Sequence, residues 1–190
     1  MTFERLSIPE ILLITPRRHG DERGWFSETF RQSLLDEAGF TGGVFVQDNH
    51  ARSTQRGVLR GLHFQRPPRA QDKLLRCIRG AILDVAVDIR RGSPTFGRWV
   101  GAELSADNGR QMLVPKGFAH AYCTLTDECE VLYKVTDYYA PEAEGVLRWN
   151  DPALAIDWGV PADQIITNAR DRAAPLLAQL DSPFTYEKAA

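Results

Sequence analysis

Cysteine is scarce in this chain, with three residues in 190, at Cys77, Cys123 and Cys129. Their odd number excludes complete pairing, and their spacing is neither C-x-x-C nor another zinc pattern. Two of them lie in apolar stretches, so buried, reduced thiols are the expectation. No apolar run approaches the roughly 20 residues that span a bilayer. Met1 to Thr15 carries Glu4 and Glu10 among its apolar residues, and lacks the basic start and small-residue cleavage site of a secretory signal. A cytoplasmic location is therefore expected, with no membrane partner. Charge of one sign is also missing. The 23 Lys and Arg residues nearly balance 25 Asp and Glu, for a net charge of −2, so nothing attracts the molecule as a whole to nucleic acid. No repeat, low-complexity tract or linker interrupts the chain, which predicts one domain over residues 1–190 with room for a substantial core.

Helix signals are few as well. Ser33 to Ala38 reads as one short helix ended by Gly39, and a second helical stretch is expected near Ala169 to Leu180, interrupted by Pro175. What remains reads as strands. Ile82, Asp84, Ala86 and Asp88 alternate with Leu83, Val85 and Val87, and Val131, Tyr133 and Val135 alternate with Leu132 and Lys134. Turn signals recur at Arg56-Gly57, Arg66-Pro67-Pro68, Arg91-Gly92-Ser93-Pro94, Asp107-Asn108-Gly109 and Pro115-Lys116-Gly117. Many short strands with frequent turns predict a mainly β fold: an antiparallel sandwich or small barrel, best fitted by an eight-stranded jelly roll with a few short helices.

The interior of a small barrel is normally apolar, yet Arg60, His63, Lys73, Asp84, Asp88 and Tyr133 fall where inward-facing side chains are expected. Buried polar groups are costly unless paired, so this set predicts a wet, functional pocket. Gly109, Pro115, Gly117 and His120 have the spacing G-x5-P-x-G-x2-H, which matches the second motif of the cupin superfamily. A metal-binding cupin carries H-x-H in its first motif, where this chain has His63-Phe64-Gln65. Two histidines fall short of the three or more ligands of a stable divalent site. The expectation is a cupin with no metal and no cofactor, in which His63 is free to act as a base.

In order along the chain, the segments Asp21 to Phe30, Gln47-Asp48-Asn49, Gly57 to Gln65, Asp84 to Arg90, Ser93 to Gly97, Pro115 to His120, and Tyr133-Lys134 followed by Tyr139 resemble the dTDP-4-dehydrorhamnose 3,5-epimerase family. The likeness runs from about His19 to Asp171. It implies dTDP-4-keto-6-deoxyglucose as substrate and inversion at C3 and C5, the two carbons flanking the C4 ketone, in dTDP-L-rhamnose biosynthesis. A C–H bond beside a carbonyl loses its proton because the charge spreads into an enolate. The resemblance makes His63 the base, Asp171 its carboxylate partner, Lys73 the cation near the enolate oxygen, and Tyr133 the acid on the opposite face of the ring. It also implies that Arg23 and Arg60 grip the diphosphate, that Glu28, Gln47 and Asn49 contact the nucleotide, that Tyr139 stacks on thymine, that Glu144 is a further contact, and that His120 lines the pocket, oriented by Asp84. A homodimer that exchanges N-terminal strands is implied too.

Each residue also has an ordinary reading. His120 beside Asp84 fits a satisfied core histidine as well as a pocket residue, and Tyr133 alone would be a packed barrel tyrosine. Lys73 and Arg23 alone would be surface charges. His19 and His50 have no special claim, Asp88 and Arg90 suit a structural pair near a strand end, and the four tryptophans suit core or interface packing. The chain has Ala121-Tyr122 after His120, and Phe64 after His63, where the family often has glycine and phenylalanine, and tyrosine. Asp163 competes with Asp171, and Tyr138 with Tyr139, for the positions assigned above. Three activities compete: double epimerisation, inversion at C3 or C5 alone, and sugar-nucleotide binding without catalysis. A metal cupin is disfavoured by the missing H-x-H.

Overall fold

In a computed structural model of the chain, residues 1–187 are described. Thirteen short strands and two short helices follow one another: β1 (Thr2–Arg5), β2 (Leu12–Thr15), β3 (His19–Asp21), β4 (Gly24–Phe26), α1 (Gln32–Glu37), β5 (Gln47–Ser53), β6 (Leu59–Gln65), β7 (Lys73–Arg79), β8 (Ala81–Asp88), β9 (Trp99–Ser105), β10 (Gln111–Val114), β11 (Phe118–Thr124), β12 (Cys129–Val135), β13 (Glu144–Val146) and α2 (Ala169–Arg172). The turn signals named above all fall between strands. Gly80 alone joins β7 to β8. Its φ of +73° is open to glycine at little cost, and a Cβ there would lie 2.5 Å from Thr126 Oγ1.

Eleven strands build two antiparallel sheets. The larger has the order β1-β2-β10-β7-β12-β5, the smaller β13-β6-β11-β8-β9. β3 and β4 form a separate hairpin. Between the sheets lies a core of Leu75, Met112 and Val131 from the larger sheet and Ile82, Ala86 and Leu104 from the smaller. This face-to-face arrangement is the jelly roll of the cupin-like fold. Both sheets are also covered outside. Leu147, Trp149, Leu154 and Trp158 pack on Val85, Val87 and Ala119 of the smaller sheet, while Leu35 of α1 and Phe40 cover Ile14, Leu74 and Leu113 of the larger. β8 and β11 are therefore buried on both faces, which is why Ala119, Ala121 and Cys123 are as apolar as a core requires. Each fully buried Leu or Ile contributes about 1.5–3 kcal/mol.

This architecture corrects some expectations and bears out others, among them the Asp88–Arg90 pair, a surface His50 and buried thiols. The second helical stretch is one turn, Ala169–Arg172, followed after Pro175 by a 3-10 turn at Leu177–Gln179. Asp88 leaves the polar interior: it accepts hydrogen bonds from Arg90, Ser93 and Thr95 at the end of β8. Burial opposes its ionisation, but these donors outweigh burial and hold its pKa below the usual range. Arg90 also reaches Glu10 and lies over the rings of Phe118 and Tyr186. Trp149 and Trp158 are buried, but Trp25 is 59% exposed in the β3–β4 hairpin, beside an exposed Phe26. His50 pairs with Glu130 on the surface. All three cysteines are buried and unpaired. Burial pushes the Cys77 thiol up to about 12 and the Cys123 thiol to about 11.

Candidate active site

Arg60 and His63 are three residues apart on β6, so strict alternation would place them on opposite faces. They nevertheless line one cavity of about 220 Å³. The cause is a bulge. On β11, Tyr122 pairs with Arg60 and His120 with His63, so two steps on one strand match three on the other. The extra residue lies at Gly61-Leu62. Gly61 has a φ of +135°, and a Cβ on it would meet Ala121 Cβ at 2.3 Å. Only glycine permits this close approach. Lys73 at the start of β7 and Tyr133 on β12 enter the same cavity from the larger sheet. Lys73 is fixed by its neighbour: the Asp72 carboxylate accepts from the Thr136 hydroxyl at 2.8 Å and the Lys116 N–H at 3.0 Å.

Two His–carboxylate pairs stand in this site. His63 Nε2 lies 2.8 Å from Asp171 Oδ1, and His63 keeps 28% of its side chain exposed. Asp171 belongs to α2. Its own N–H is capped by Asn168 Oδ1 at 2.8 Å, and its Oδ2 receives the Gly61 N–H and the Asn168 amide, each at 3.3 Å. Burial alone would raise the Asp171 pKa, but the His63 ring and the Gly61 N–H more than compensate and lower it. His120 Nε2 lies 2.6 Å from Asp84 Oδ1, both nearly inaccessible. Burial lowers the His120 pKa and raises that of Asp84, each partly opposed by the other. Lys73 Nζ is 3.4 Å from the His63 carbonyl oxygen. Burial brings its pKa down to about 8, against the pull of the Asp84 and Glu144 carboxylates. Burial likewise raises the Tyr133 pKa, so its phenol holds its proton at neutral pH.

A second cavity, of about 350 Å³, shares His63, Lys73 and Tyr133 with the first and is also lined by Gln47, Asn49, Tyr139 and Glu144. A third, of about 380 Å³, lies against Phe30, Leu74, Arg76 and Lys134; it touches neither His63 nor Lys73. Tyr139 donates its phenolic O–H to Glu144 Oε2 at 3.0 Å, and Arg170 Nη1 reaches the same oxygen at 2.6 Å. Asp163 sits in the exposed 3-10 turn Ala162–Gln164, and Tyr138 is outside both site cavities. The pair adjoining the site is thus Asp171 and Tyr139.

Comparison with known proteins identifies the family. The dTDP-4-dehydrorhamnose 3,5-epimerase family profile matches residues 5–179. The Salmonella typhimurium dTDP-4-dehydrorhamnose 3,5-epimerase is 51% identical over 180 residues, covering 94% of this chain and 97% of its own. The chain belongs to the dTDP-4-dehydrorhamnose 3,5-epimerase family. The epimerase from Legionella pneumophila, solved with dTDP-4-keto-L-rhamnose, superposes with a TM-score of 0.92 at 46% identity, covering 98% of this chain and 99% of its own. A 3'-monoepimerase from Streptomyces bikiniensis, solved with dTDP-quinovose, gives a TM-score of 0.83 at 38% identity, covering 91% and 86%.

Of the residues singled out from the sequence, His63, Lys73, His120, Tyr133 and Arg60 meet in the first cavity, with Asp171 against His63; Gln47, Asn49, Tyr139 and Glu144 join in the second. Arg23 and Glu28 do not reach either. Arg23 is a highly exposed side chain bound to Asp21 near the tip of the β3–β4 hairpin, and Glu28 binds Arg31. Sequence reasoning missed Asn168, Arg170 and Tyr122. Asn168-x-x-Asp171 has the spacing of a helix cap and was readable as one. Tyr122, buried with a hydroxyl that has no partner, pairs across β11 with Asp84 and Arg60 and had no such signal. Among the described residues, no group of three or more His, Cys, Asp or Glu converges to hold a metal ion. The Gln65 amide, at the H-x-H position, is spent on backbone groups of Arg69, Tyr138 and Ala140.

Proposed function

We propose that this chain inverts C3 and C5 of dTDP-4-keto-6-deoxyglucose to form dTDP-4-keto-L-rhamnose, an isomerase reaction in dTDP-L-rhamnose biosynthesis. One observation carries the reading: His63, part-exposed and hydrogen-bonded to Asp171, shares a cavity with Lys73 and Tyr133. His63 accepts the proton as the C–H bond beside the ketone breaks. The electron pair forms the C=C bond of an enolate, whose oxygen Lys73 stabilises. Asp171 holds the imidazole in one tautomer and stabilises the imidazolium. Tyr133 delivers a proton to the opposite ring face. His63 then releases its proton to solvent and the Tyr133 phenolate regains one, so the same groups repeat the steps at the second carbon and complete the product. Arg60, Gln47, Asn49, His120, Glu144 and Tyr139 bind the sugar nucleotide, Arg60 at the diphosphate and Tyr139 by stacking on thymine. No metal or cofactor takes part in the proposed steps.

We further propose a homodimer in which Arg23 and Glu28 serve the site of the other subunit. Their distance from this chain's own cavities and the exposed Trp25 and Phe26 on the same hairpin support it. No helix among the described residues is long and apolar enough to cross a membrane; a cytoplasmic location is proposed from the sugar-nucleotide chemistry for which the relatives are named.

Solvent exchange tests the reaction. The protein is incubated with dTDP-4-keto-6-deoxyglucose in deuterated water and the sugar followed by NMR and mass. Deuterium is expected at both C3 and C5, in a product that a rhamnose-forming reductase accepts. Deuterium at one carbon alone would establish a mono-epimerase, and none above the blank would leave a binding protein.

A further inference from the structure

The segment 137–140 links β12 to the 3-10 turn Pro141–Ala143 and carries Tyr139. Such a segment has no ladder partner for its backbone groups, which must be satisfied some other way. The Tyr138 N–H donates to Asp137 Oδ1 at 2.8 Å, and three glutamines from separate places in the chain bond to four others. Gln71 Nε2 donates to the Asp137 carbonyl at 2.7 Å. Gln65 Nε2 donates to the Tyr138 carbonyl at 3.2 Å and to the Arg69 carbonyl at 2.6 Å, while its Oε1 accepts the Ala140 N–H at 2.8 Å. Gln47 Oε1 accepts the Tyr139 N–H at 3.1 Å, and its Nε2 donates to Asn49 Oδ1 at 2.9 Å.

A side-chain amide carries one acceptor and two donors in one plane. It can therefore grip a carbonyl and an N–H on the same loop, which neither a carboxylate nor an ammonium can do. Gln65 does this while only 4% exposed. Tyr139 is thereby held from two directions: its backbone by the amides, and its phenol by Glu144. The ring itself stays 55% exposed at the cavity mouth.

We infer that Gln65 and Gln71, with Gln47, form a cradle that positions Tyr139 for the nucleotide; all three side chains border the second cavity, and Gln65 and Gln71 spend their amides on the loop. The inference rests on Tyr139 contacting the base. Gln65 and Gln71 are positioning residues: the loop is ordered before the ligand arrives, so ordering is not charged against binding.

Gln65→Met keeps length and apolar bulk but removes every hydrogen bond, and Gln71→Met repeats the test at a less buried position. Each should weaken dTDP binding about tenfold by calorimetry and raise KM similarly, with kcat falling less than about threefold. Amide hydrogen exchange at Tyr139 and Ala140 should accelerate in Gln65→Met while exchange in β8 and β11 stays native, which separates a loosened loop from an unfolded protein. The deciding measurement is the double variant. Tyr139→Ala alone should weaken dTDP binding, and adding Gln65→Met to it should weaken binding no further, because the cradle then has nothing to position. Additive losses would overturn the cradle while leaving the role of Tyr139 intact. Unchanged dTDP affinity in Tyr139→Ala would instead refute the base contact, and the inference with it. A uniform rise in exchange across the chain would make Gln65 merely structural, and the same pattern in Gln71→Met would complete that refutation.

Discussion

The two His–carboxylate pairs share residue types and hydrogen-bond geometry but differ in everything around them. In His63–Asp171 the imidazole is part-exposed, and the carboxylate has spare donors from Gly61 and Asn168. In His120–Asp84 both partners are sealed, and Asp84 Oδ2 has no partner at all. A base must accept a proton, carry charge and give the proton back. Only the first pair has an environment that tolerates the charged state: its carboxylate stays ionised, and additional donors hold it when the ring changes protonation. The second pair is held by burial in a state where charge is disfavoured on both members. In the proposed mechanism the chemistry falls to the first pair, and cavity shape and core integrity to the second.

The largest expected effect is at His63. His63→Ala should lower kcat/KM by about 10^3- to 10^4-fold and abolish deuterium incorporation, while dTDP affinity measured by calorimetry changes little. Retention of a tenth of the native rate would erase the contrast between the pairs. Lys73→Met should cost about 10^2- to 10^3-fold in kcat, as expected for a lost oxyanion partner. The cation is the active form, and its pKa is lowered, so native kcat should fall as pH rises through about 8. Lys73→Arg should retain charge at that pH and remove this limb, whatever its absolute rate; a limb unmoved by Lys73→Arg would assign it to another group. Asp171→Asn should cost about 10^2-fold in kcat, with a near-native denaturation midpoint, because the cap from Asn168 to the Asp171 N–H survives. The smallest rate effect is expected at the sealed pair. His120→Asn should lower kcat only about tenfold, yet cost about 3 kcal/mol of stability in urea, since Asp84 would be buried without its ring partner. A reversal of these two profiles, with His120 dominating rate and Asp171 dominating stability, would assign the base to the wrong histidine.

Much of this arrangement was legible in the chain. Period-two patterning over Ile82–Asp88 and Val131–Val135, with glycine and proline between, placed the strands, and the motif around His63, Lys73 and His120 marked the pocket. What escaped was nonlocal. Alternation on β8 groups Asp84 with Asp88, but the pairing of Asp88 with Arg90 near the strand end, also expected from the sequence, is the one that forms, and the added bonds from Ser93 and Thr95 were not expected. Arg60 and His63 share a cavity only through the bulge at Gly61, which depends on the register of β11. The start of α2 was legible at Ala169, but the pattern overestimates its length, because the single turn ends at Arg172, before Pro175. Arg23 and Glu28 carry a family signature, but nothing local to them specifies which site they serve. The cradle of Gln65 and Gln71 left no trace in composition, because a glutamine satisfying a loop and a glutamine facing water are written the same way.

The buried thiols have a practical consequence. A thiol reacts as its thiolate; all three thiols, Cys129 included, are shielded from solvent, and Cys77 and Cys123 are also held far above neutral pH. Alkylating reagents and mild oxidants therefore find nothing to attack in the native molecule, and reactive sulfur appears only when the sheets separate. The rate of thiol labelling in weak denaturant becomes a clock for opening of the barrel, set inside the molecule without any engineered probe.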